Sequence, residues 1–250
     1  MASIINASTT STSGLVQTAD ASGVLQLQSN GVTGLTVGSG GLLTAANGMV
    51  FSSMTLGTAT AGKLEYDGRV PYFTPLGTQR GVIPGMQYYR LDSTLAGANA
   101  TGAQNMLGVG VTLSSSTIYA FDALLMMSKS AGTTSHTVAF GFGGTFTNNN
   151  IVYSIVRDGN STGFTNNGNT AMMTIQTANS TVITGARTAA AFFDVLYLKG
   201  TVSVNSGGTF IPQYTLSAAP GGAYTTAVGS YFLIYPIGAA GSNINIGTWA

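Results

Sequence analysis

The sequence predicts an all-β protein in three parts: a thin, intertwined N-terminal stalk over 1–56, a hairpin neck over 57–90, and a jelly-roll-like β-sandwich head over 91–250, assembled as a homotrimer. Three observations lead there. The 250 residues include 35 glycines and many Ser, Thr and Asn, with β-branched and aromatic runs and almost no helical stripe, a composition suited to strands and turns. Charged residues make up only 6 % of the chain, too few to keep an isolated surface well solvated. Five of the 15 charged residues (Lys63, Glu65, Asp67, Arg69, Arg80) fall inside the single stretch from Gly57 to Pro84, which divides the chain.

Met1 to Thr18 is polar and of low complexity, anchored only by Ile4-Ile5 and Leu15-Val16. From Gly23 a short unit recurs. Leu25-x-Leu27 precedes Asn30-Gly31, Leu35-x-Val37 precedes Gly40-Gly41, and Leu43-x-Ala45 precedes Asn47-Gly48. Each reads as a strand of three to five residues with period-2 apolar positions and a turn. Units so short bury little within one chain. Three chains wound around an axis do better, with Leu25, Leu27, Leu35 and Val37, joined by Leu43, as the stalk core; a disordered linker is the alternative.

In the neck, Asp67-Gly68 is a turn signal because both residues accept positive φ. Lys63 to Tyr66 forms one arm and Arg69 to Phe73 the other. Pro71, Pro75 and Pro84 oppose a regular sheet interior and make the lead-out stiff and kinked. The carboxylates Glu65 and Asp67, flanked by Lys63 and Arg69, read as a solvated ion-pair cluster rather than as a glycosidase acid and base facing each other across a groove.

The head offers strands at Met106–Leu113, Ile118–Met127, His136–Phe142, Ile151–Arg157, Ala171–Gln176, Phe192–Val204, Thr209–Leu216, Tyr231–Ile237 and Ile244–Gly247, separated by turn-rich segments. Strands at this spacing suggest a sandwich. Three of them are apolar on both faces. In Tyr231–Tyr235 the set Tyr231, Leu233, Tyr235 is one candidate inward face and the opposite set, Phe232 and Ile234, is equally apolar, and Phe121–Met127 and Phe192–Leu198 behave alike apart from Asp122 and Asp194. A sheet apolar on both sides needs a second cover, and with no helix to supply it the cover is another protomer, in closed three-fold symmetry. Asp122 and Asp194 read as structural carboxylates that need partners, with Arg90, Arg187 and Lys199 as candidates.

Composition and motifs also exclude. A net charge of +1 without a basic cluster argues against nucleic acid. The longest apolar runs are too short for a membrane helix and no secretory signal opens the chain, so membrane insertion is not expected. With no cysteine and one histidine, His136, no metal site, cofactor or catalytic residue is nominated, and His136 reads as an ordinary structural or surface residue. Gly141-Phe142-Gly143-Gly144 lacks the Lys-Ser/Thr of a phosphate loop and marks a bulge or a close sheet contact. The Asn-x-Ser/Thr triplets at Asn6, Asn99, Asn160 and Asn179 are expected by chance in such a composition.

The passages GLVQTADASGVLQLQSNG, GTATAGKLEYDGRVPYFTP-x-GTQRGV and GTFIPQYTLSAAPGGAYTTAVGSYFLIYPIGAAGSNINIGTWA resemble segments of tailed-bacteriophage fibre proteins, particularly those of phages infecting cyanobacteria. The resemblance covers Gly14–Gly31, Gly57–Pro84 and most of the chain from Thr209. It implies a homotrimeric tail fibre of the virion, fixed to baseplate, tail or capsid proteins by its N-terminus and engaging a host-surface glycan or protein through its head. Such modules are shared with head fibres and decoration proteins, which stay open as alternatives; a polysaccharide depolymerase would need a groove with two carboxylates. No receptor motif is carried by these passages. The head's longest polar loop, Asp158 to Thr170, is the candidate receptor-binding segment: the amides of Asn160, Asn166 and Asn167 suit sugar hydroxyls, Asp158 adds a carboxylate, and Phe164 offers a platform for a sugar face. Turn formation alone is the plainer reading of the same residues.

Overall fold

A computed structural model describes residues 24–29, 32–46, 48–159, 171–241 and 243–249. Contacts divide the chain into two compact units, residues 1–52 and 53–250. Every strand pairing in both is antiparallel, and the described residues contain no helix.

In the first unit β1 (Leu25–Ser29), β2 (Val32–Val37) and β3 (Leu43–Ala45) form a three-stranded meander. Its register sets Leu25 opposite Val37 and Leu27 opposite Leu35, with Leu43 and Ala45 facing Val37 and Leu35 from the other side. Because alternate residues share a face, the recurring motif puts all its apolar positions on one side of the sheet. Gln26, Thr36 and Thr44 occupy the other.

The second unit begins with the neck hairpin. β4 (Leu64–Tyr66) pairs with β5 (Pro71–Phe73), Glu65 opposite Tyr72. The expected arms are present, but the connection is a four-residue loop, 67–70. The Asp67 carboxylate accepts the backbone N–H of Arg69 and of Val70, each at 2.8 Å, and Gly68 takes the left-handed φ of +90° that the turn demands. A third strand, β6 (Gly81–Val82), adds to β5. The proline argument against a sheet here thus fails at Pro71, which opens β5 and needs no N–H at that position.

The remainder builds two facing sheets. β7 (Gln87–Arg90), β8 (Leu95–Ala96), β9 (Gln104–Asn105), β10 (Val111–Leu113), β11 (Thr117–Lys129), β12 (Val138–Gly143) and β13 (Thr147–Asp158) come first. β14 (Ala171–Ile175), β15 (Thr181–Val182), β16 (Phe192–Ser206), β17 (Gly208–Leu216), β18 (Thr225–Thr226) and β19 (Tyr231–Ala239) follow. The large sheet runs β14-β13-β16-β11; the free edge of β11 is shared by β19, which carries β7, and by β18, which carries β8. The small sheet runs β10-β17-β12-β15, with β9 also on β17.

Between the sheets lies an aromatic core. Phe121, Tyr153 and Phe232 from the large sheet meet Phe140, Phe142 and Phe210 from the small one, all buried. Phe142 stacks on Phe210 with centroids 4.3 Å apart and meets Phe121 and Tyr153 edge-on, packing worth about 0.5–1.5 kcal/mol per pair beyond the buried area. Strict burial alternation along β11 assigns the inward face to Tyr119, Phe121, Ala123, Leu125 and Met127. In β19 the inward residues are Phe232 and Ile234, and Tyr231, Leu233 and Tyr235 face out. The glycine run that closes β12 marks a close sheet contact: a Cβ on Gly144, directly after the strand, would sit 2.1 Å from the Thr209 carbonyl.

Two expected strands change. Gly108, at φ +72°, interrupts Met106–Leu113 and leaves only β10. Ile244–Gly247 forms no strand, because Gly247 is left-handed and the Asn245 side chain donates to the Trp249 carbonyl to close a turn.

Candidate functional site

At one end of the large sheet the inward-facing positions change from apolar to charged. The series Ile151, Tyr153, Ile155 on β13 continues to Arg157; the β11 series ends at Lys129 after Met127; on β16, Asp194 precedes Leu196 and Leu198. Register brings them together, with Asp194 beside Met127, Phe192 beside Lys129 and Arg157 beside Leu196. Arg187 arrives from the segment before β16. Its backbone exchanges hydrogen bonds with His136, at 2.8 and 3.1 Å, which tie it to the approach to β12.

Asp194, 1 % exposed, is the only acid that pairs with this group among the described residues. The Arg187 guanidinium donates to both its oxygens, one bond measuring 2.7 Å, while Arg157 reaches Oδ1 at 3.3 Å. Burial, the largest influence, lowers the pKa of Arg187, but the adjoining Asp194 carboxylate and then Tyr224 together outweigh it and hold the guanidinium above its ordinary value. Lys129 is buried and donates only to the carbonyls of Gly132 and Ala189, at 2.6 and 3.0 Å. Burial, and then the nearby Arg187 charge, lower its pKa. Phe192 receives both cations on its ring, Arg187 at 4.6 Å and Lys129 at 5.6 Å from the centroid. A concavity of about 360 Å³ opens beside them, lined by Arg157, Gly159, Phe192 and the segment from Gly185 to Ala189, which includes Arg187.

His136 belongs to the same end as a structural residue. It is buried, with Nδ1 at 2.7 Å from the Thr134 carbonyl and Nε2 at 2.8 Å from the Tyr224 hydroxyl. Burial raises the pKa of that phenol.

Of the expected receptor-binding residues, Asp158 ends β13, directly after Arg157. Asn160, Phe164, Asn166 and Asn167 lie outside the described residues. Leu25, Leu27, Leu35 and Val37 share the apolar face of the first unit, with Leu25 and Leu27 nearly half exposed. Of the partners expected for the two strand aspartates, Arg187 does pair with Asp194, joined by Arg157, which the sequence reading missed. Asp122 instead accepts the Tyr231 hydroxyl at 3.0 Å, and Arg90 pairs with its neighbour Asp92. Glu65 is not solvated as expected. Its side chain is 1 % exposed and is held by Lys63 at 2.8 Å, Arg80 at 2.7 Å and the Gly57 N–H at 2.9 Å, and the Lys63 contact leads in lowering its pKa.

Among the described residues no three His, Cys, Asp or Glu gather as a metal would require, and no helix is long and apolar enough to cross a membrane. No protein-family model matches the chain, and no curated protein matches it either.

Proposed function

We propose that the chain is a non-enzymatic fibre subunit of a tailed-bacteriophage virion, a homotrimer attached to other virion proteins through its N-terminal unit and engaging the host surface through its jelly-roll-like head. The observation that carries this reading is the one-sided sheet of the first unit. Leu25, Leu27, Leu35, Val37 and Leu43 line one face of three short strands, and Leu25, Leu27 and Leu43 remain 49 %, 45 % and 52 % exposed. An apolar face on a sheet this small is stabilised by a matching face, and copies of the chain supply three of them around an axis.

The large sheet supports the same conclusion. Its outer face carries Leu124, Met126, Leu233 and Tyr235 with Tyr88, Val152, Met172 and Tyr197, the last four exposed, where a solvated sheet would alternate to polar residues. Together with the resemblance of three passages to phage fibres, this favours a trimer in which protomers cover one another. Light scattering on the purified chain at micromolar concentration tests it. The expected mass is three times the 25.3 kDa of the chain; a stable monomer refutes the reading.

A further inference from the structure

We propose that the charged end of the sandwich is an oxyanion-binding site that takes the carboxylate, sulfate or phosphate of an acidic saccharide. The charge balance of the cluster carries the inference. Three cations, Lys129, Arg157 and Arg187, gather around one carboxylate, and their exposures are low: 3 % for Lys129, 8 % for Arg187 and 12 % for the Arg157 side chain. Burying a cation is costly unless an opposite charge meets it. Asp194 can neutralise one of the three. Asp158, the next acid along β13, follows Arg157 and so falls on the opposite phase of the strand.

The remaining hydrogen-bonding capacity sits with Arg157. Arg187 spends two N–H groups on Asp194, and Lys129 is engaged by two carbonyls. Among the described residues Arg157 has only its long contact to Asp194, and its enclosed Nε meets no partner. Arg157 and Arg187 both border the 360 Å³ concavity. A guanidinium presents its donors in a planar fork that fits an oxyanion with two parallel bonds. An anion seated there would meet the Arg157 guanidinium beside the Arg187 charge, gain the excess charge of the Lys129 side and pass its carrier out beside Thr188 and Phe192. Uncharged hydroxyls would find no comparable attraction, so the site selects for charge.

That the carrier is a saccharide rests on the reading of the head as the host-facing part of a fibre; the oxyanion site itself does not. Calorimetric titration of the full chain with glucuronate, glucose 6-sulfate, glucose 6-phosphate, sodium sulfate and glucose separates the two, with the oligomer's mass measured on the same preparation. The expected result is binding of the charged sugars and none of glucose. Arg157→Gln should weaken that binding about tenfold to a hundredfold, the loss of one charge-assisted hydrogen bond of about 1.5–3 kcal/mol, with an unchanged mass and a cooperative melting transition retained. Arg69→Gln, in the neck, should bind as the parent does. Absence of binding by every anion at tens of millimolar, or equal binding by Arg157→Gln, overturns the site. Sulfate binding with no gain from any sugar ring overturns the saccharide assignment. A trimer that binds no anion sinks only this proposal, whereas a monomer sinks the fibre reading whatever it binds.

Discussion

Replacing Asp194 by asparagine keeps the shape of the side chain and removes the one negative charge that holds the polar end of the sandwich. Arg157, Arg187 and Lys129 would then face one another around a neutral amide. The Asp194 side chain is 2 % exposed and that of Arg187 is 8 %, which places the pair among buried ion pairs. For such pairs, removing one partner costs about 3–5 kcal/mol, because the other charge is left uncompensated. The Coulomb scale agrees: unit charges about 4 Å apart at an effective dielectric near 20 attract by about 4 kcal/mol. For a chain of this length each kcal/mol moves the melting temperature by about 2–4 °C, so Asp194→Asn should melt about 6–20 °C below the parent.

Melting followed by near-ultraviolet circular dichroism suits the purpose, since the aromatic core reports tertiary packing directly. Protein concentration must be held fixed, because dissociation makes the transition concentration-dependent. The Arg90–Asp92 pair supplies the control. Its side chains are 46 % and 82 % exposed, a setting in which ion pairs contribute about 0–1 kcal/mol, so Asp92→Asn should melt within about 4 °C of the parent. If Asp194→Asn behaved like Asp92→Asn, the claim that the cluster is held by a buried carboxylate would be wrong.

Three further outcomes follow from other parts of the chain. Glu65 has its folded pKa below the ordinary 4.5, led by its hydrogen bond to Lys63; it binds protons less readily when folded, so its stabilisation is complete above 4.5 and is lost as pH falls through the folded value. Glu65→Gln should therefore flatten the acid limb of stability below pH 4.5, and an acid limb identical to the parent's would contradict this. Leu27→Asp places a charge on the apolar face of the first sheet and should abolish protease resistance of residues 24–52 while the head's melting is preserved; unchanged resistance argues against a covered face. Phe142→Ala removes the ring stacked on Phe210 at 4.3 Å and should cost about 3–5 kcal/mol in urea unfolding, with a loss under 1 kcal/mol counting against an aromatic core.

The sequence made legible what a segment's own residues define. Long runs of β-branched and aromatic residues between turn-rich segments located β11, β13, β16, β17 and β19 to within a few residues, and the repeat of Leu-x-Leu placed four residues on one face in register. What it missed is defined elsewhere in the chain. The two-residue strands β6, β8, β9, β15 and β18 are defined by their partners rather than by their own residues. The choice between Tyr231, Leu233, Tyr235 and Phe232, Ile234 could not be made locally, because both sets are apolar and only the position of the opposing sheet decides. The candidate site was half visible. Asp194 declared itself by interrupting an apolar run, and Arg187 was a named candidate partner. Arg157 stands two residues after Ile155, in phase with the core, and Lys129 stands two after Met127; a charge at the end of an inward-facing series is the signal that would have found both. Their convergence on one end still required the register of β11, β13 and β16.

The distribution of charge joins the site to the assembly. Lys63, Glu65 and Arg80 are committed to one buried network, and Arg157, Arg187 and Asp194 to another. Lys129 is buried against carbonyls, Asp67 caps its turn and Asp122 takes a tyrosine hydroxyl. A chain with 15 charged residues that spends so many of them internally leaves few to solvate its exterior, while Leu42, Val50, Met172 and Trp249 stand more than 70 % exposed. Solubility normally rests on the charges given up here. On the proposed trimer the outer apolar faces are not a solvent boundary, which accounts for the scarcity, and among the described residues the concavity bordered by Arg157 and Arg187 differs from those where Arg69 or Lys199 stands beside an aspartate. On that proposal apolar surface serves association between copies, and the concentrated charge beside Arg157 and Arg187 is left to choose a ligand.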